Sequence, residues 1–123
     1  MANERILFMK ESRKTTGGRN EWNAAVFLKE QGLTIIEMNY RCRSGEIDII
    51  ALDGNILVFV EVRSRSVADM EAALGSISGK KAAQVRRIAE IYLYTHQYPE
   101  ETPCRFDAIG IAGNELAYIK NAF

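Results

Sequence analysis

Four polar side chains gather at one end of an otherwise apolar stretch. In GEIDIIALDGNILVFVEVRSR, residues 45–65, two runs of Ile, Val, Leu and Phe meet at Asp53-Gly54-Asn55, and the ends away from that turn carry Glu46, Asp48, Glu61 and Arg63. A turn of this composition between apolar runs predicts a β-hairpin. With Gly54-Asn55 as the turn, Asp48 faces Glu61 and Glu46 faces Arg63; with Asp53-Gly54, Glu46 faces Glu61 and Asp48 lies two residues along. Either register puts all four on one face and leaves Ile47, Ile49, Ala51, Ile56, Val58, Val60 and Val62 on the other. A three-residue loop would throw Glu61 onto the apolar side and is rejected.

Opposed side chains on paired strands stand roughly 4.5–5.5 Å apart at Cβ. Two carboxylates at that distance repel unless a cation or a shared proton intervenes. Arg63 could supply the charge; a divalent ion such as Mg²⁺ would do so better, since it takes one or two carboxylates together with waters and substrate phosphates. A solvent-facing hairpin with a Glu46–Arg63 pair is the plain alternative. It accounts poorly for acid facing acid, and for Ile50, Leu52, Leu57 and Phe59 making the rest of that face apolar.

The elements that must position these groups are legible along the chain. NEWNAAVFLKEQG predicts a helix over about 21–31, with Gly18 or Asn20 as N-cap and Gly32 as its stop. Glu21 shares a stripe with Ala24, Ala25 and Leu28, so it is either a third carboxylate beside the hairpin or a residue favoured by the helix dipole. LTIIEMNYR predicts a strand. Residues 64–77 predict a loop with a short helical turn. GKKAAQVRRIAEIYLYTHQ predicts a second helix, capped by Ser78, with Val85, Ile88, Ala89 and Tyr92 as its apolar stripe. RFDAIGIAGNELAYIKNAF predicts two strands around Gly113-Asn114. Helix, three strands, helix and two strands give an α/β layer structure with helices flanking a sheet.

Lys80, Lys81, Gln84 and Arg87 at the start of the second helix, with Arg41 and Arg43 before the hairpin, form a candidate phosphate-contact zone; a solvated basic face is the alternative. His96, Cys42 and Cys104 have no partners in ligand or catalytic spacing, and Asp107 reads as a buried partner for a backbone or arginine group. The 123 residues suit one domain, with residues 1–19 read as a basic flexible segment and 20–123 as the domain. The 16 basic and 16 acidic residues cancel, so no global field announces a polyanion. Two cysteines without a disulfide framework, and no apolar run of membrane length, predict a cytoplasmic protein with no membrane partner. Oligomeric state, including a homodimer, is not readable from these residues.

A helix acid followed by Asp48 and by Glu61-Val62-Arg63 resembles the E…D…(D/E)xK signature of restriction-endonuclease-like nucleases. More closely, the hairpin, the NEWNAAVFLKEQG helix, RFDAIGI and the terminal IKNAF resemble the YraN-like family of predicted endonucleases, over about Gly17 to Phe123. The resemblance implies an α-β-β-β-α-β core related to Holliday-junction resolvases, acting on nucleic acid, DNA first, with Mg²⁺ or Mn²⁺. It also implies Asp48 and Glu61 as metal acids with the Val62 carbonyl, Glu21 as the helix acid, and Glu46 as the acid of the GEID motif with an accessory role. Arg63 stands where that signature usually has lysine, and arginine, always charged, cannot serve as a base. The resemblance therefore leaves three functions open: a metal-dependent endonuclease, a nucleic-acid binder without cleavage, and a protein-interaction module on a vestigial site.

Overall fold

The computed structural model describes residues 6–11, 20–64 and 79–123. Its elements are β1 (Ile6–Glu11), α1 (Asn20–Glu30), β2 (Thr34–Cys42), β3 (Gly45–Asp53), β4 (Ile56–Ser64), α2 (Gly79–Thr95), β5 (Cys104–Ala112) and β6 (Glu115–Ile119). From α1 to β5 this is the expected α-β-β-β-α-β order. The segment expected to be flexible is corrected in part: Ile6–Glu11 forms a strand antiparallel to β6. Four apolar residues at the start of a chain give no periodicity to read, and only the exposed edge of β6 makes a strand of them. Ser78, Gly18, the loop over 65–77 and most of the basic stretch before residue 20 lie outside the described residues.

The six strands form one mixed sheet in the order β1-β6-β5-β4-β3-β2. Only β4 and β5 are parallel, joined by the crossover that contains α2. Among the described residues, one helix covers each face. Ala24, Ala25, Phe27 and Leu28 of α1 pack on Ile49, Ala51, Val58 and Val60. Val85, Ile88, Ala89 and Tyr92 of α2 pack on Ile50, Leu57, Phe59 and Phe106. The apolar stripes expected for both helices are thus the buried ones. A hairpin apolar on both faces is what a central pair covered on both sides requires.

Both helices stop by the same device. Gly32, at φ 97°, donates to the Lys29 carbonyl while Leu33 N–H reaches Leu28 O at 3.0 Å. In α2, Gln97 takes the left-handed position at φ 62° and Tyr98 N–H reaches Leu93 O at 2.9 Å. These paired bonds satisfy carbonyls the last turn would leave orphaned.

The hairpin turn is Gly54-Asn55. Asp53 pairs with Ile56, and the ladder runs in that register to Ile49↔Val60, where it stops. One expectation about the faces is corrected here. Ile47 does not share the α1 side with Ile49; it packs against α2. Across the ladder, Met38 lies on the α1 side and its second neighbour Tyr40 on the α2 side, paired with Ile49 and Ile47 respectively. Regular strands keep such residues on one face. Asn39, at φ 56°, is where β2 makes the switch, and Asp48 is its counterpart in β3.

Candidate metal centre

The switch and the end of the ladder coincide, and Asp48 stands at both. Continued pairing would send the Val62 N–H to a backbone carbonyl of β3. Instead it donates to Asp48 Oδ2 at 2.8 Å. The side chain replaces the backbone as acceptor, β3 and β4 part, and a buried carboxylate sits in the opening, 7% exposed. Glu61, also 7% exposed, reaches the same end of the sheet on the α2 side.

The acids repel one another there. Burial first, and then the charges of Glu61 and Glu21, raise the Asp48 carboxyl to about 7 against the lowering pull of the Val62 N–H; Glu21 also hydrogen-bonds it. Glu61 is raised as well, by burial first, with Lys81 and Arg63 pulling it down and Glu46 pushing it up. Glu21 arrives from the first turn of α1 although that helix covers the opposite face from Glu61, because the face switch brings Asp48 within its reach. Lys81, from the first turn of α2, lies with Nζ 3.4 Å from Glu61 Oε2. Two helix N-termini, the positive ends of their dipoles, therefore flank the acids.

The other buried acid shows what full satisfaction looks like. Asp107, wholly enclosed, accepts from Arg105 at 3.0 and 3.2 Å, from the Tyr118 hydroxyl at 2.6 Å and from the Asn121 N–H at 2.9 Å. It is the structural partner the sequence suggested. Asp48 and Glu61 have nothing comparable. Among the described residues no three His, Cys, Asp or Glu side chains gather as a ready-made ligand set. A hard cation would have Asp48, Glu61 and the Val62 carbonyl, with waters and substrate oxygens completing the shell, which is the manner of Mg²⁺ and Mn²⁺. Two carboxylates buried at one end of the sheet, only Glu61 of them with a lysine ammonium beside it among the described residues, fit such an ion.

The remaining expected residues divide. Arg63 Nε is buried with no hydrogen-bond partner among the described residues. Lys80, Arg43 and Arg87 are exposed. Glu46 meets Arg41 at 3.1 Å, its neighbour across the β2–β3 ladder, in place of the expected Arg63. Gln84 is turned to structure: its Nε2 donates to Ser44 O at 3.0 Å and holds the β2–β3 turn against α2. Gly45 in that turn has φ 134°, and a Cβ there would lie 2.7 Å from Gln84 Nε2. Gly45→Ala is therefore expected to cost roughly 1–3 kcal/mol through backbone strain and the lost Gln84 bond, read as a lower urea midpoint. His96 stacks on Tyr92 at 4.0 Å and accompanies no ligand group. Both cysteines are free thiols.

A six-stranded mixed sheet with, among the described residues, a helix on each face and buried acids where its central hairpin opens defines an α/β protein whose element order is compatible with a nuclease-like core. The family profile "Uncharacterised protein family UPF0102" matches residues 20–111. The chain belongs to that family. It is 48% identical over 113 residues to a UPF0102 protein of Nitrosomonas eutropha, covering 91% of this chain and 96% of the relative. It is 42% identical over 112 residues to a UPF0102 protein of Lachnoclostridium phytofermentans, covering 91% and 95%. No helix among the described residues is long and apolar enough to cross a membrane.

Proposed function

We propose that the protein is a Mg²⁺- or Mn²⁺-dependent phosphodiesterase acting on nucleic acid, DNA foremost. One observation carries this reading: Asp48 and Glu61 are both buried where β3 and β4 part, and burial first, with the neighbouring acids second, raises the Asp48 carboxyl to about 7. Bound between them and the Val62 carbonyl, the ion would acidify a water and neutralise charge on the scissile phosphate.

The chain's own groups supply the rest. Glu21, at the head of α1, adds a third carboxylate beside Asp48 and would hold a water at the ion. Arg63, permanently charged and two residues on from Glu61, would balance charge building on the phosphate. Lys80, Arg87 and Arg43, all exposed, are the groups proposed to contact flanking phosphates. In the reaction the water oxygen bonds to phosphorus and one P–O ester bond breaks. The proton released by the water reaches the leaving oxygen through solvent, giving a phosphomonoester and a hydroxyl.

A second reading, a nucleic-acid-binding protein without cleavage, draws on Arg63 standing where the signature has lysine. Nicking of supercoiled plasmid and a four-way junction with Mn²⁺ separates the two. Cleavage by the wild type is expected to fall at least about a hundredfold in Asp48→Ala and in Glu61→Ala, the scale of losing one charge-stabilising group. Cleavage that persists in both variants belongs to a contaminant and rejects the assignment. No cleavage, with salt-sensitive DNA binding that survives Asp48→Ala, selects the second reading. Neither cleavage nor binding leaves a protein-interaction module.

A further inference from the structure

The helix position of Lys81 directs it along the sheet toward Glu61. Val85, Ile88 and Tyr92 follow it at offsets of four, seven and eleven, and all three are core residues packed on the sheet. A side chain at the head of that stripe runs along the sheet rather than out to solvent. The distances agree: Lys81 Nζ is 3.4 Å from Glu61 Oε2, with the lysine side chain 30% exposed and that of the glutamate 9%. Its neighbour Lys80 is exposed, so the two lysines of one sequence pair face different tasks.

An ammonium this close to a ligand carboxylate lies beside whatever that carboxylate binds. Arg63 projects from the same strand as Glu61, two residues on, but its guanidinium is a broad planar fork. Lysine's compact point charge on a flexible stem is a different instrument. We infer that Lys81, supplied by α2, is the ammonium of this site: it orients Glu61 and, when a phosphodiester is bound, donates to a non-bridging oxygen as negative charge builds there. The inference rests on the phosphodiesterase reading. It needs no proton from Lys81, which contributes charge and a hydrogen bond only.

The test pairs turnover with cation binding. Lys81→Met keeps the stem and removes the charge. Nicking of supercoiled plasmid with Mn²⁺ is expected to fall roughly a hundredfold, as on removal of one oxyanion donor. Calorimetric affinity for Mn²⁺ alone is expected to hold or tighten, because Glu61 loses a competing cation. Lys81→Arg, restoring the charge, recovers part of the turnover. A purely structural lysine would lower both quantities together and shift the melting temperature, and that pattern overturns the inference. So does a Lys81→Met protein that nicks within about twofold of wild type. Lys81→Gln gives the same readout should methionine disturb the helix. Wild type that neither binds Mn²⁺ nor nicks rejects the phosphodiesterase reading and this inference with it. Active wild type beside unaffected Lys81 variants rejects this inference alone.

Discussion

Replacing Asp107 by alanine is expected to destabilise the protein by about 3–5 kcal/mol, the range for stranding one partner of a buried ion pair. The carboxylate is wholly enclosed, and Arg105 beside it is only 15% exposed. Its removal would leave the Arg105 guanidinium with Asp53, whose Oδ2 is 3.0 Å from Nη1, and the Asn121 N–H without its acceptor. The Tyr118 hydroxyl, whose ionisation burial already pushes up strongly, would keep only Arg105 Nη2 at 3.3 Å. These groups tie β5 to β6 and to the turn after it, so the loss is global rather than a local fray. Asp53 retains part of the arginine's compensation, which places the expected value toward the lower end of the range. Urea unfolding would show it as a lower midpoint with an unchanged slope. A change below about 1 kcal/mol would mean that water or Asp53 replaces Asp107, contrary to the enclosure seen.

Asp107 was legible because an acid interrupting an apolar strand must be paired if it is buried. The same logic singled out the hairpin: two acids expected to meet at the end of an apolar ladder need a cation or a shared proton between them. The turn at Gly54-Asn55, the two helix stripes and the core element order followed from periodicity and turn chemistry. The face switch at Asn39 and Asp48 did not. A strict alternation of two assigns Ile47 to the face of Ile49, and only a left-handed residue in the neighbouring strand changes this. Nor could spacing alone separate Lys80 from Lys81, which are neighbours in the chain. Gln84 looked like a phosphate ligand beside its basic neighbours; the Ser44 carbonyl, forty positions away, holds it instead. Local pattern thus revealed which groups could do chemistry, and the sheet's irregularity decided which of them meet.

Asp48→Asn is expected to stabilise the protein at pH 8 while removing the site's use. The wild-type carboxyl titrates near 7 in the fold against 3.8 unfolded. The folded state therefore holds its proton more tightly, and stability falls as pH rises from about 4 to about 7 and stays at its lower level above. Glu61, also raised, adds in the same direction. Asparagine keeps an oxygen for the Val62 N–H and carries no charge, so the variant should lose most of the pH dependence and melt higher than wild type at pH 8, with little difference at pH 4. Mn²⁺ should reverse the ranking: it binds the ionised acids, raising the wild-type melting temperature more at pH 8 than at pH 5 and leaving Asp48→Asn unmoved. Melting curves at several pH values, with and without the ion, read both effects. An asparagine variant less stable than wild type at pH 8 would show that the charge is compensated within the fold, and the cleft would then be a structural feature with no vacancy to fill. Groups kept at a cost to stability are expected where a protein acts rather than where it merely holds together. On that criterion the buried acids separate, with Asp107 expected to strengthen the fold and Asp48 and Glu61 to weaken it.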